Sequence, residues 1–372
     1  MTEIPPTFRV PQRLLMGPGP SMVHPRVLQA MSNPVIGHLD PATHAMLAEI
    51  KEMLREVFRT NNELTYAVSG TGTAGMECAL TSVLEPGDTA LVLVSGFFAA
   101  RMREITQRLG VDAISLGDKW GKPISVEQVA RALEEHPGTK GVLAVHGETS
   151  TGLHQALPEI GELCRERDVL FIVDAVATLG GMELDVDGWG IDACYAGSQK
   201  CLSAPPGLAP ITFSPKAFQV MESRRRPPPS FYLDALLIRR YVGTERLYHH
   251  TAPISTLYAL HEALRLVLEE GVDERWRRHE EIGAELLMAL EDRGFRAVPP
   301  EGFRMPQLAA VWLPDGFEDR PNRTRLLEEF GIEVAGGLGE FAGKVWRVGV
   351  MGESCTRDNV KTFVEALDRL LS

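Results

Sequence analysis

Short apolar runs alternate with stretches of helical spacing along most of this chain. That alternation narrows the possible folds more than any other feature. The runs are Leu64–Val68, Ala90–Val94, Gly141–Val145, Val169–Val173, Asp192–Ala196 and Pro210–Phe213, with helical segments such as Glu127–Glu135 and Leu157–Arg167 between them. Each strand-to-strand passage through a helix is long enough to return the chain in the same direction. The pattern therefore predicts an α/β chain with a mostly parallel sheet covered on both faces. A strand buried on both faces reads as an unbroken apolar run, as "VLFIV" does.

Beyond the last of these runs the pattern changes. Two long helical stretches, Ile254–Glu270 and Asp273–Asp292, precede short strand-like pieces at Phe295–Val298, Gln307–Leu313, Glu333–Ala335 and Val345–Val350. Helices are expected at Arg323–Phe330 and Arg357–Leu371. This divides the chain into a Pro- and Gly-rich N-terminal arm (1–20), a large domain (21–271) and a smaller α+β domain (272–372). With 372 residues and a hydrophobic fraction of 44%, two cores are within reach. "RRRPPP" (Arg224–Pro229) reads as a stiff, solvated loop.

A net charge of -12 argues against nucleic acid or an anionic membrane as partner. The five cysteines are odd in number and form no CxxC pair, which predicts unpaired thiols in a reducing compartment. "MTEIPPTFRV" has no basic start leading into an apolar core, and no apolar run approaches the ~20 residues that span a bilayer. The expected location is the cytoplasm.

"SGTGTAGME" (Ser69–Glu77) contains Gly70-x-Gly72-x-x-Gly75 after a strand and at a helix start. A dinucleotide site of this type needs an acidic residue at the end of the next strand to hold the ribose. That strand ends in Ser95-Gly96-Phe97, with no carboxylate, so a nicotinamide-dependent dehydrogenase is a weak alternative. A helix start freed by glycines still suits a phosphate, and with no Walker pattern the ligand is not a nucleoside triphosphate.

Asp174 closes the run Val169–Val173, and Lys200 lies just past the next strand-like segment. In open α/β sheets ligands gather at the carboxyl ends of strands. The two residues are thus expected on one rim, as a salt bridge or as a cofactor site. An amine that forms a Schiff base, a carboxylate that keeps a ring nitrogen protonated and a phosphate-binding helix start together suit pyridoxal phosphate.

At this point the sequence resembles the class V, fold-type I aminotransferases, in particular the alanine–glyoxylate and serine–pyruvate group. The likeness is carried by "LLMGPGPSMVHPRVLQAM", "LEPGD", "HGETSTG", "VDAVATLGG", "GSQKCLSAPPG", "SFYLD", "YHHTAPISTLYAL", "GGLG" and "RVGVMG", spread over nearly the whole chain. The resemblance implies a large cofactor-binding domain and a smaller C-terminal one. It implies ping-pong transamination between a small amino acid (alanine or serine) and a small 2-oxo acid (glyoxylate or pyruvate). Lys200 would be the Schiff-base lysine and proton shuttle, and burial should lower its pKa. Asp174 would face the pyridine nitrogen. Thr71, Gly72, Thr73 and Gln199 would hold the phosphate, Thr149 would lie near the phenolic oxygen, and Phe98 would stack on the ring. Arg347 would clamp the substrate carboxylate, with Gly17 and Gly19 lining the pocket. Tyr248 and Thr251 would reach the phosphate in the neighbouring subunit of a homodimer. The aromatic- and arginine-rich segment Ser230–Ser255 agrees with an interface.

Two positions depart from some relatives, which have tryptophan at Phe98 and histidine at Thr73. Both bear on cofactor affinity and spectrum. Alternatives remain for single residues: Phe98 as core, Tyr248 as a buried aromatic, Arg347 on a wet sheet face. Among rival chemistries, a cysteine desulfurase would carry histidine where Gln199 stands. A phosphonate or phosphoserine aminotransferase would need further cationic groups near the substrate.

Overall fold

The computed structural model describes residues 4–117 and 119–371, so the first three residues of the expected arm lie outside the described residues. A seven-stranded sheet forms the centre of the large unit. Its spatial order is Leu64–Ser69, Leu208–Phe213, Ala193–Tyr195, Leu170–Asp174, Thr139–Val145, Thr89–Leu93, Asp112–Leu116. Leu208–Phe213 runs antiparallel to both its neighbours, and the remaining strands share one direction. The sheet is therefore mostly parallel, as expected.

Alternation along each strand feeds two cores. Phe171 and Val173 face one hydrophobic cluster, while Leu170 and Ile172 face the other, together with helix Gly72–Val83. Asp174 has the parity of Leu170 and Ile172, so the strand's own pleat turns its carboxylate toward that helix. The helix approaches the sheet closely: a Cβ at Gly75 would lie 3.0 Å from the Ala209 Cβ and 3.2 Å from the Tyr195 Cβ.

A second sheet, ordered Arg296–Ala297, Leu308–Trp312, Val345–Gly349, Ala335–Gly336, is antiparallel throughout. Helices Val272–Glu291, Asp319–Glu329 and Arg357–Leu371 pack around it over a core that includes Trp346, Val348, Phe363 and Leu367. The N-terminal segment is not loose along its whole length. Leu14–Leu15 pairs in parallel with Ile332–Glu333, and the Gly349 N–H donates to the Met16 carbonyl at 2.7 Å.

Some expectations need correction. Asp112–Leu116 is an additional strand, at the sheet edge and only partly buried. Arg224, read as part of a solvated loop, is half-buried. Its Nη1 donates to the carbonyls of Ser82 (3.1 Å) and Leu84 (2.8 Å), satisfying acceptors at the end of helix Gly72–Val83. All five cysteines are free, as the odd count and the missing CxxC pair suggested, and each is buried. Among the described residues no helix is long and apolar enough to cross a membrane.

Candidate active site

The parallel strands deliver the chemistry to one rim. Thr71 and Gly72 follow Leu64–Ser69, and Phe98 follows Thr89–Leu93. Gly147 and Thr149 follow Thr139–Val145, Asp174 ends its strand, and Gln199 and Lys200 follow Ala193–Tyr195. All of them line a single cavity of about 130 Å³ together with Thr73, Met76, Arg101, Val176 and Ala177. A larger cleft of about 490 Å³, among His154, Trp189, Arg304 and Met305, contains none of the expected site residues.

The Asp174 carboxylate is buried. Oδ1 accepts from the Val176 N–H at 2.8 Å and Oδ2 from the Tyr195 hydroxyl at 3.0 Å. Burial pushes its pKa up to about 7, against these two hydrogen bonds, which favour the anion. Lys200 is lowered to about 8, chiefly by burial, with the charge of Arg347 acting in the same direction. The lowering agrees with the expectation for this lysine. No salt bridge joins Lys200 to Asp174 among the described residues; Lys200 Nζ donates instead to the Pro18 carbonyl. Glycine is required beside it: a Cβ at Gly19 (φ +104°) would lie 2.6 Å from Nζ. The lysine backbone is tied down as well. The Ser21 N–H donates to the Gln199 carbonyl at 2.9 Å, and its hydroxyl to the Lys200 carbonyl at 2.8 Å.

Arg347 lies in strand Val345–Gly349 and is only 7% exposed, so it is not on a wet face. Its Nε donates to the Gly336 carbonyl at 2.8 Å, while Nη1 and Nη2 make no protein hydrogen bond among the described residues. Burial lowers the guanidinium to about 10, partly offset by Glu148. Gly17 belongs to the segment between this strand and Lys200, where a Cβ on Gly349 would come within 2.2 Å of the Gly17 oxygen.

Three residues were missed in the sequence. Tyr195 is the lateral partner of Asp174 in the register of adjacent strands, a position readable only once the strand ends are aligned. Arg101 lies about one helical turn after Phe98 in helix Phe97–Arg108. Its guanidinium carbon sits 5.0 Å from the Phe98 ring centroid, and Nη1 donates to Thr73 Oγ1 at 3.2 Å. Glu148 is fully buried and accepts from the Phe98 and Ala99 N–H groups, both at 3.0 Å, at the start of helix Phe97–Arg108. The signal for Glu148 was a lone carboxylate in an otherwise apolar and small-residue stretch.

Tyr248 and Thr251 are exposed and do not line this cavity; Tyr248 is 61% exposed, which removes its reading as a buried aromatic. Cys355 is buried within the small core. The glycine-rich turn opens on the cavity of Lys200 through Thr71, Gly72 and Thr73.

The cavity presents groups in search of a ligand. Gln199 Oε1 is buried without a partner among the described residues. The Thr71 side chain makes no capping bond to the helix it precedes; the Ala74 N–H turns back to the Thr71 carbonyl at 2.8 Å, which leaves the Gly72 and Thr73 N–H groups for an anion. An amine and a carboxylate share the cavity without pairing. This set fits a cofactor with a phosphate, an aldehyde and a basic ring nitrogen, and an enzyme of the aminotransferase class is what such a fold and rim define. The sequence profile described as aminotransferase class-V matches residues 13–346, and the chain belongs to that family, an enzyme family that depends on pyridoxal phosphate. Among curated relatives, the (S)-ureidoglycine–glyoxylate transaminase of Bacillus subtilis is 42% identical, covering 97% of this chain and 91% of that protein. The alanine–glyoxylate aminotransferase of Callithrix jacchus is also 42% identical, covering 97% and 88%. The crystal structure of an alanine–glyoxylate aminotransferase from Nostoc sp. superposes with a TM-score of 0.97 at 45% identity, covering 100% of this chain and 98% of that one.

Proposed function

We propose that this enzyme binds pyridoxal phosphate through Lys200 and transaminates between a small amino acid, alanine or serine, and a small 2-oxo acid, glyoxylate or pyruvate. The observation that carries the reading is the arrival of Lys200 and Asp174 from neighbouring parallel strands in one cavity, beside an uncapped helix start. Glyoxylate is favoured as acceptor because it appears in the names of both relatives above. A matrix of amino donors against 2-oxo acids tests the substrates, with (S)-ureidoglycine among the donors. Equal, negligible rates with every small 2-oxo acid would refute the reading.

In this proposal Thr71, Gly72, Thr73 and Gln199 hold the phosphate, Phe98 covers the ring face, Thr149 stands by the phenolic oxygen and Asp174 meets the ring nitrogen. When bound, pyridoxal phosphate supplies an aldehyde that takes up the amino group and a ring that accepts electrons from the α-carbon. The chain supplies the rest. The Asp174 carboxyl, which its two donors already favour as the anion, would be drawn back to that form beside a cationic ring nitrogen. Lys200 Nζ, whose pKa burial lowers, would accept the proton leaving the α-carbon and give it back. Arg347 orients the carboxylate common to both substrates through its free fork of donors. Thus Arg347→Ala should raise KM for amino and 2-oxo acid alike and cost ~2–5 kcal/mol in kcat/KM, the scale of a truncated buried charge contact. Unchanged steady-state constants for both substrates would remove this role.

The working unit in this proposal is a cytoplasmic homodimer with shared sites. Val35, Leu39, Phe231, Tyr232, Leu247 and Tyr248 are all at least 44% exposed and lie on loops around Thr251, an apolar surface that a second copy would cover. Lys200→Ala chains mixed with Tyr248→Phe/Thr251→Ala chains should regain activity, because each hybrid dimer rebuilds one complete site. A confirmed exchange of subunits without regained activity would place Tyr248 and Thr251 elsewhere.

A further inference from the structure

The loop that presents Tyr248 and Thr251 carries two histidines between them, and their hydrogen bonds run in one direction. His249 Nε2 lies 3.0 Å from the Phe231 carbonyl, His249 Nδ1 lies 2.8 Å from His250 Nδ1, and His250 Nε2 lies 2.8 Å from Ser69 Oγ. A carbonyl only accepts, so His249 Nε2 carries the proton. In the neutral ring Nδ1 is then an acceptor, so His250 Nδ1 must donate to it. That leaves His250 Nε2 as acceptor, and the Ser69 hydroxyl donates. The rings are held by packing: His249 stacks on Phe231 at 5.1 Å, and His250 meets Tyr232 and Tyr241 edge-on, each at 5.3 Å. The Tyr232 hydroxyl also donates to the Ser69 carbonyl at 3.0 Å. Ser69 is the last residue of its strand and precedes Gly70, Thr71 and Gly72, the turn that opens on the cavity.

We propose that His249 and His250 are positioning residues that couple the two active sites of the dimer. Through Ser69 they join the phosphate-binding turn of one subunit to the loop that this subunit extends to its neighbour's cofactor. The inference rests on the shared-site dimer proposed above. Its consequence is specific: disturbing the relay in one chain disturbs both sites. The chain's own site feels it through the turn, and the neighbour's through Tyr248 and Thr251. Ordinary loop packing confines the effect to one site.

The test uses full-length hybrid dimers assembled from differently tagged chains, with pyridoxamine phosphate as a ligand that needs no bond to Lys200. Its two dissociation constants are read by fluorescence titration. With Ser69→Ala in one chain, which removes one hydroxyl and leaves the ring packing, both sites should weaken by roughly five-fold, the scale of one lost hydrogen bond. His250→Phe in one chain, which keeps an aromatic ring and removes both nitrogens, should do the same. A control hybrid with Tyr248→Phe/Thr251→Ala in one chain should weaken one site only. If the Ser69→Ala hybrid keeps one site at wild-type affinity while the control behaves as stated, the relay is overturned and the shared-site dimer stands. If the control hybrid keeps both sites intact, or no dimer forms, the shared-site reading and the relay fall together.

Discussion

Lys200→Ala should abolish transamination while leaving the fold intact. The amine is removed from a cavity wall, not from a packed core, and no salt bridge among the described residues depends on it. A positioned proton-transfer group is worth ~10²–10⁴ in rate. The same residue would also anchor the cofactor, so the loss should lie at or beyond the upper end of that range. Lys200→Arg separates the base from the charge. A guanidinium remains protonated at any working pH, so this variant should be as inactive as alanine although the positive charge is kept. Borohydride should fix the cofactor to the wild-type chain at Lys200 and to neither variant, as read by peptide mass mapping. Substantial turnover by either variant would show that another group moves the proton.

Asp174→Asn should cut turnover by at least ~10²-fold, the cost of losing one electrostatic stabiliser in a buried site, while the cofactor still binds. The same substitution should make the apoprotein more stable. Asp174 is raised from 3.8 to about 7 in the folded chain, chiefly by burial. A carboxyl raised on folding binds its proton more tightly in the native state, so stability falls as pH climbs from 3.8 toward about 7 and then levels off. A rise of that size corresponds to ~4 kcal/mol. Asparagine stays neutral, and its oxygen and amide can still pair with the Val176 N–H and the Tyr195 hydroxyl. Apo Asp174→Asn should therefore unfold at higher denaturant than wild type at pH 8, by up to that amount, with the difference fading below about pH 4. Equal midpoints at pH 8 would mean that Asp174 is not strained by its burial.

Much of this was legible in the residues because buried parallel strands are written as apolar runs, and the chemistry sits where those runs stop. Val169–Val173 and its terminal Asp174 are an example. Asp112–Leu116 escaped notice because an edge strand is partly exposed and carries a mixed pattern. The reversal of Leu208–Phe213 also has no signature in composition, since a strand buried on both faces looks alike in either direction. At the site, Lys200 and Asp174 announce themselves by being charged beside apolar runs. Tyr195 does not, because its role comes from lateral register with Asp174, which sequence order does not state. Arg101 and Glu148 depend likewise on which helix start faces which strand end. Arg224 was misread because its chemistry is set by helix carbonyls distant in sequence.

The burial of every cysteine has a practical consequence. Cys78, Cys164, Cys201 and Cys355 are each pushed up to about 12, and Cys194 well above its ordinary value, in every case chiefly by burial. At neutral pH their thiolate fraction is on the order of 10⁻⁴ or less, and the thiolate is the form that reacts. Native protein should therefore be almost silent to maleimides and iodoacetamides. A single cysteine introduced on an exposed loop would then be the sole fast-reacting handle, with no need to strip the five natural ones from the core. Donor and acceptor dyes placed this way on separate chains would report subunit exchange in the proposed homodimer by energy transfer.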